Sequence, residues 1–124
     1  MKPVTFHEIL GDNFFVRVNS AQFNSLTKRY RNQDAAKSVS LDKLSEAQWQ
    51  SYFGEFKTFP DSFETPLALC YHGHQFGIYN KEIGDGRGFL YAQLREDISD
   101  RLLDLGTKGS GTTPFSRGGD GRLT

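Results

Sequence analysis

Residues 84–108 read GDGRGFLYAQLREDISDRLLDLGTK, and this stretch decides the predicted fold. The segment FLYAQLR at 89–95 alternates in polarity, which is typical of a strand with one buried face. The segment LLDLGTK at 102–108 predicts a second strand that Gly106 weakens near its end. The glycine turn GDGRG precedes the two strands, and Lys108 follows them. The stretch therefore predicts the order glycine turn, strand, strand, lysine.

The chain before this stretch predicts further strands. The runs NFFVRV at 13–18 and LALCY at 67–71 are short and rich in apolar residues, as strands are. Residues 75–79 predict a continuation of the second run, past a bend at Gly73. These strands and the two after residue 88 together predict an antiparallel sheet.

One helix is predicted over residues 41–53, with Ser40 or Asp42 as its N-cap and Gly54 as its end. The polar residues 20–40 are modestly basic and predict a solvated loop or helix face. A helix packed on an antiparallel sheet makes the predicted fold class α+β.

The glycine turn itself has two interpretations. Gly84 and Gly86 leave backbone N–H groups uncovered, and successive N–H groups in such a turn form an anion-binding nest. Arg87 adds a permanently charged planar group suited to phosphate. The alternative is a plain type I′ hairpin, for which the dipeptide Asp85-Gly86 is a leading signal. The turn alone favours the hairpin, and both interpretations stay open.

The position of Lys108 matches the layout of a protein-kinase N-lobe. There a glycine loop covers nucleotide phosphates and a lysine on a following strand pairs with them. The match is topological, because GDGRG does not have the order G-x-G-x-x-G. A surface lysine at the end of a strand is the alternative.

A second glycine-rich run, KGSGTTPFSRGGDGR, occupies residues 108–122. A flexible linker of this composition would be largely uncharged, whereas this run holds Phe115, Arg117, Asp120 and Arg122. It lacks the order of a Walker A loop. Its composition therefore favours a surface that contacts phosphate or ribose over a linker.

Cys70, His72 and His74 form the pattern C-x-H-x-H and would lie on one face of a strand. Zinc needs a fourth ligand, and none occurs nearby at a suitable spacing. The pattern therefore predicts a structural or hydrogen-bonding role rather than a metal site.

Composition excludes several classes of function. Lys and Arg total 15, as do Asp and Glu, and the zero net charge argues against nucleic acid or an anionic membrane as partner. No apolar run reaches the roughly 18 residues of a membrane-spanning helix. The N-terminus lacks the apolar region of a secretory signal, and one cysteine permits no internal disulfide. A cytoplasmic location is expected.

Four motifs occur together in the C-terminal half of the chain: YHGHQFG at 71–77, GDGR at 84–87, KGSGTTPFSR at 108–117 and GDGR at 119–122. In this order they resemble the selenoprotein O family, known in bacteria as YdiU proteins. The strong part of the resemblance covers residues 67–122, about half of the chain, and LGDNFFVR at 10–17 is similar to the start of the family.

The resemblance implies a kinase-like fold that binds ATP in a flipped orientation and moves AMP onto Ser, Thr or Tyr hydroxyls of protein substrates with Mg²⁺. By the same resemblance, six residues contact the nucleotide: Gly84, Gly86, Arg87, Lys108, Asp120 and Gly121. One departure from the family pattern is that Gly106-Thr107 precede the lysine, which predicts a looser placement of its side chain.

The resemblance also implies that the catalytic Asp and the magnesium ligands of the family lie beyond residue 124. We therefore expect an N-terminal fragment that is inactive alone, with an α+β extension at 1–62 and kinase-like N-lobe strands at 63–124. The alternative is a stand-alone module that binds nucleotide or protein without transferase activity.

Overall fold

Six strands, all paired antiparallel, form the sheet of the structure, a computed structural model that describes residues 1–122. The strands are β1 (Pro3–Val4), β2 (Phe15–Arg17), β3 (Leu67–Gln75), β4 (Ile78–Gly84), β5 (Leu90–Arg95) and β6 (Leu102–Gly106). The helical segments are a 3-10 helix (Phe6–Leu10), α1 (Gln33–Lys37) and α2 (Glu46–Phe53). The prediction of an α+β chain with an antiparallel sheet is confirmed.

Strand β3 organises the sheet because it has neighbours on both sides. β2 lies along one side, where the Cys70 N–H donates to the Phe14 carbonyl at 2.9 Å. β4 and β5 both lie along the other side, end to end, with Gly84 opposite Cys70 and Leu90 opposite Leu67. Leu67 and Cys70 are three positions apart on β3, whereas their partners Leu90 and Gly84 are six positions apart. Three residues between β4 and β5 therefore have no partner on β3 and bulge out of the sheet.

The glycine turn is therefore a bulge within one bent strand line, and the predicted type I′ hairpin at residues 84–88 is wrong. We call residues 84–88 the glycine bulge. The hairpin lies earlier, between Gln75 and Ile78, which pair with each other. Its two central residues, Phe76 and Gly77, have φ of 54° and 76°, as a type I′ turn requires. The chain reverses there, so the predicted continuation of β3 to residue 79 is also wrong.

The core lies between β5 and the segment that contains α2. β5 is the most buried strand, with five of its six residues in the interior. Tyr91 on this strand contacts the rings of Phe53, Phe56 and Phe59 at centroid distances of 5.3–6.1 Å. Its hydroxyl donates to the Lys57 carbonyl, and burial raises the pKa of the phenol. Aromatic contacts thus hold the helical layer on the sheet.

Helix α2 begins later than the sequence predicted. The Ser45 hydroxyl accepts the Gln48 N–H at 3.2 Å, and the Gln48 side chain accepts the Ser45 N–H at 2.9 Å. This reciprocal capping box outcompetes the predicted caps, because Ser40 has a φ of 59° and instead bonds Asp97. The predicted end at Gly54 is confirmed, since its N–H bonds the Gln50 carbonyl.

The basic segment 20–40 is only partly solvated. Arg31 leaves just 11% of its side chain exposed and stacks over the Trp49 ring at 4.2 Å. One of its nitrogens donates to the carbonyls of residues 41, 42 and 44 at 2.8–3.2 Å. The predicted solvated face is therefore wrong for Arg31, which joins α2 to the loop before it.

The sheet mixes the two predicted segments, because β1 and β2 pair with β5 and β3. The boundary at residue 62 stays a prediction. The last two residues of the predicted second segment, Leu123 and Thr124, lie outside the described residues. Within residues 1–122, none of the helices is long and apolar enough to cross a membrane.

Candidate functional site

The glycine bulge forms one wall of an open cleft of about 380 Å³. The opposite wall is the end of β6 and the residues that follow it. The lining residues that carry polar chemistry are Tyr71, Asp85, Gly86, Arg87, Asp104, Thr107 and Lys108. The volume falls within the usual range for small-molecule sites.

Backbone hydrogen bonds on both sides of Lys108 fix the second wall. The Thr107 N–H donates to the Phe89 carbonyl at 3.0 Å, and the Gly109 N–H donates to the Arg87 carbonyl at 2.5 Å. The Phe89 N–H in turn donates to the Thr107 hydroxyl at 3.2 Å. The backbone on both sides of Lys108 is therefore fixed beside Arg87. The looser placement of the lysine side chain stays a prediction.

Two glycines of the bulge are needed because the chain itself passes close to them. A Cβ at Gly88 would lie 2.1 Å from the Thr107 carbonyl oxygen. A Cβ at Gly84 would lie 2.5 Å from both the Leu69 carbonyl oxygen and the Phe115 ring. Gly84 is thus covered by protein and does not line the cleft.

Within residues 1–122, the cleft carries two cations without an ion-pair partner and two carboxylates that accept hydrogen bonds. The side chains of Arg87 and Lys108 form no salt bridge with any of residues 1–122. Asp104 accepts a hydrogen bond from the Gln93 amide at 2.8 Å. Asp85 accepts the Leu69 N–H at 3.0 Å. Burial raises the pKa of the Asp85 carboxyl, and the bond from Leu69 offsets part of that rise.

A loop within the run that the sequence predicted to contact phosphate or ribose is bonded to the glycine bulge. We call residues 113–116 the clamp loop. Its Thr113 hydroxyl donates to the Asp85 carbonyl, and its Ser116 hydroxyl donates to the Gly86 carbonyl at 2.7 Å. Phe115 packs on Gly84. In the sequence, the dipeptide Pro-Phe within a run otherwise rich in Gly, Ser and Thr was the one feature that indicated an ordered, packed loop here.

The structure brings three of the six predicted nucleotide contacts together: Gly86, Arg87 and Lys108 line one cleft. Asp120 and Gly121 lie elsewhere. Gly121 has a φ of +74°, and a Cβ there would lie 2.0 Å from the Gly111 carbonyl oxygen. The Asp120 carboxylate accepts the Arg122 N–H at 2.9 Å. These two residues thus shape the segment after the clamp loop.

The residues of the C-x-H-x-H pattern differ in their surroundings. His72 Nδ1 lies 2.8 Å from the Tyr79 hydroxyl, which confirms a hydrogen-bonding role for this histidine. Burial raises the pKa of the Cys70 thiol, so it stays protonated. Among residues 1–122, no three His, Cys, Asp or Glu side chains are grouped to hold a metal ion. The described residues therefore do not fit a magnesium site.

The chain matches known proteins along almost its whole length. The family model described as protein adenylyltransferase SelO matches residues 3–124. Protein nucleotidyltransferase YdiU of Trichormus variabilis is 46% identical over 119 residues, which are 94% of this chain and 24% of that protein. The YdiU protein of Synechocystis is 47% identical over 119 residues, with the same shares of the two chains.

A third relative agrees with the first two. Protein nucleotidyltransferase YdiU of Gloeobacter violaceus is 47% identical over 118 residues, which are 93% of this chain and 23% of that protein. The chain spans about a quarter of the length of these relatives. Because the family model matches from residue 3 to residue 124, the chain belongs to the SelO family.

Proposed function

We propose that this chain supplies the ATP-phosphate site of a protein adenylyltransferase, which moves AMP from ATP onto Ser, Thr or Tyr hydroxyls of proteins. The observation that carries the proposal is the position of Arg87 and Lys108 on the two walls of one cleft. Neither cation has a carboxylate partner within residues 1–122. Two unpaired cations beside exposed backbone favour a polyanionic ligand.

The roles within the proposed site differ. The Arg87 guanidinium is suited to two parallel hydrogen bonds with a phosphate, whereas the Lys108 ammonium acts as a point charge. Gly86 exposes backbone on the same wall. Gly84, Asp120 and Gly121 belong to the proposed nucleotide site through the family resemblance alone.

The proposed kinase-like N-lobe is supported by the antiparallel sheet and by a lysine just after β6. A cytoplasmic location and a partnership with protein substrates are proposed with it. Mg²⁺ assists phosphoryl and nucleotidyl transfer by neutralising charge that develops on the phosphates. Its ligands would come from outside the described residues, since these hold no suitable cluster. The family resemblance places the catalytic Asp outside them as well.

We therefore expect the 124-residue chain alone to transfer no AMP. Mass spectrometry of the chain and of added protein, after incubation with ATP and Mg²⁺, checks this expectation. A mass increase corresponding to AMP on either protein would contradict it.

ATP affinity measured by calorimetry tests the binding site directly. Lys108→Ala should weaken ATP binding at least about tenfold, because a charge-assisted contact to phosphate is lost. Lys43→Ala is the matched control, since Lys43 is exposed and forms no salt bridge within residues 1–122. Equal ATP affinity for Lys108→Ala and the control would refute the proposed role.

A further inference from the structure

We propose that Thr113 and Ser116 are positioning residues, whose hydroxyls turn two backbone N–H groups of the glycine bulge toward the cleft to bind a phosphate group. The inference rests on the proposed function and explains why the N–H groups of the bulge face the cleft. It starts from two hydrogen bonds, from the Thr113 hydroxyl to the Asp85 carbonyl and from the Ser116 hydroxyl to the Gly86 carbonyl.

The direction of each hydroxyl proton follows from the other bonds of the clamp loop. The Ser116 oxygen accepts the Thr113 N–H at 2.8 Å, and the Thr113 oxygen accepts the Phe115 N–H at 3.1 Å. A hydroxyl has only one proton to donate. Each hydroxyl oxygen already accepts a bond inside the clamp loop. Its single proton is therefore free to be donated to a carbonyl of the bulge.

The planarity of the peptide bond links the direction of these carbonyls to that of the N–H groups that follow them. In a trans peptide the C=O of one residue and the N–H of the next point in opposite directions. Because the Asp85 and Gly86 carbonyls face the clamp loop, the N–H groups of Gly86 and Arg87 face away from it. The cleft lies on that side, since the bulge lines it and the clamp loop does not.

These two N–H groups are available to a ligand. The N–H groups of Gly86, Arg87 and Gly88 find no acceptor within residues 1–122, whereas those of Asp85 and Phe89, on either side of the three, are bonded. Two successive free N–H groups form a nest for an anion. The Arg87 and Lys108 side chains line the same cleft, so all four donors suit the oxygens of a phosphate or pyrophosphate group.

The neighbouring contacts keep the bulge from turning over. Asp85 bonds Leu69 twice, through its own N–H at 3.0 Å and through its carboxylate at 3.0 Å. Phe115 fills the space beside Gly84, where a Cβ would collide with its ring. The bonds of Asp85 and the packing of Phe115 thus fix the backbone before Gly86. The hydroxyls of the clamp loop then determine which way the Asp85 and Gly86 carbonyls point.

Calorimetric ATP affinity of matched hydroxyl variants tests the inference. Thr113→Val keeps the shape of the side chain and removes both its proton donor and the acceptor of the Phe115 N–H, and it should weaken ATP binding on the order of tenfold. Thr113→Ser restores the donor and should keep affinity within about twofold. Thr112→Val is the control, since Thr112 is exposed and its hydroxyl bonds no residue within 1–122.

A second measurement on the unaltered chain does not depend on how well the variants fold. Inorganic pyrophosphate is added while backbone amide NMR signals are followed. The amide protons of Gly86 and Arg87 should shift downfield more than that of the exposed Gly118. Such shifts support the proposed direction of the two N–H groups even where Thr113→Val fails to fold.

The outcomes separate this inference from the proposed function. Normal ATP affinity in Thr113→Val, together with weakened affinity in Lys108→Ala, overturns the positioning role and leaves the site intact. Binding of pyrophosphate without a shift at Gly86 and Arg87 overturns it as well. Absence of ATP and pyrophosphate binding by the unaltered chain overturns the proposed function, and the inference falls with it.

Discussion

Strand β5 and the glycine bulge are consecutive parts of one strand line, yet different forces hold them. β5 is buried in the interior, where Tyr91 and Leu94 belong to an apolar cluster. The bulge lies nearer the surface, with Arg87 exposed, and is held by hydroxyl–carbonyl bonds from the clamp loop and by the Asp85 carboxylate on the Leu69 N–H. Apolar burial therefore secures the fold, whereas directional polar contacts set the geometry of the site.

The difference has a consequence for mutations. Loss of apolar volume near β5 removes stability from the whole domain, because the surrounding side chains relax only partly into the cavity. Loss of a polar contact at the bulge reorients one peptide unit and leaves most of the buried surface unchanged. Stability and ligand affinity should thus respond to different residues.

The largest expected effect on stability comes from the aromatic cluster. Phe59 is 3% exposed and contacts Tyr52, Phe53 and Tyr91. Phe59→Ala should lower the free energy of unfolding by about 3–5 kcal/mol. Urea unfolding followed by circular dichroism measures the change. Phe76→Ala is the matched control, since Phe76 is 89% exposed, and an equal loss in both variants would contradict the assigned core.

Gly88→Ala should have the next largest effect, because its Cβ would lie 2.1 Å from the Thr107 carbonyl oxygen. Relief of this overlap must push the bulge away from the Lys108 wall, at about 1–3 kcal/mol of stability. ATP affinity should fall in the same variant. Gly106→Ala is the control, with its nearest atom at 3.9 Å. Equal midpoints of urea unfolding for the two variants would show that the glycine bulge and the residues after β6 are not in close contact.

The smallest expected effect is that of Asp85→Asn, and it depends on pH. Burial raises the carboxyl pKa, so the folded state disfavours the ionised form. The contribution of Asp85 to stability is greatest below its unfolded pKa and is lost as pH rises through the folded pKa. Asparagine remains neutral and can still accept the Leu69 N–H.

Asp85→Asn should therefore be more stable than the unaltered chain at pH 7, by less than about 1 kcal/mol, with a smaller difference at pH 3. Denaturant unfolding at the two pH values measures this. A difference that grows toward pH 3 would mean that the ionised carboxylate stabilises the fold.

The regular part of the fold was predictable from the sequence. The strands predicted over residues 89–95 and 102–108 correspond to β5 (Leu90–Arg95) and β6 (Leu102–Gly106). Exposure alternates along β6, whereas five of the six residues of β5 are buried, so the prediction of a single buried face is wrong for β5. Three of the six nucleotide contacts implied by the family resemblance, Gly86, Arg87 and Lys108, line one cleft. Local sequence patterns were sufficient for the strands, whereas the set of six residues came from the resemblance.

The rest depended on contacts between distant residues or on competing local signals. Asp85-Gly86 is a strong hairpin signal, yet the hairpin forms at Phe76-Gly77, where β3 and β4 pair on either side. The clamp loop reaches the bulge across about 30 residues of sequence, as from Ser116 to Gly86. No pattern among neighbouring residues in the sequence predicts a hydrogen bond over this separation.

The central claim is that the glycine bulge and Lys108 cradle the phosphates of a nucleotide. The most direct test measures binding of ATP, AMP and adenosine to the unaltered chain and to Lys108→Ala. The account predicts that affinity falls as phosphates are removed and that the substitution costs at least about tenfold for ATP but nothing for adenosine. An equal loss for ATP and adenosine would contradict it.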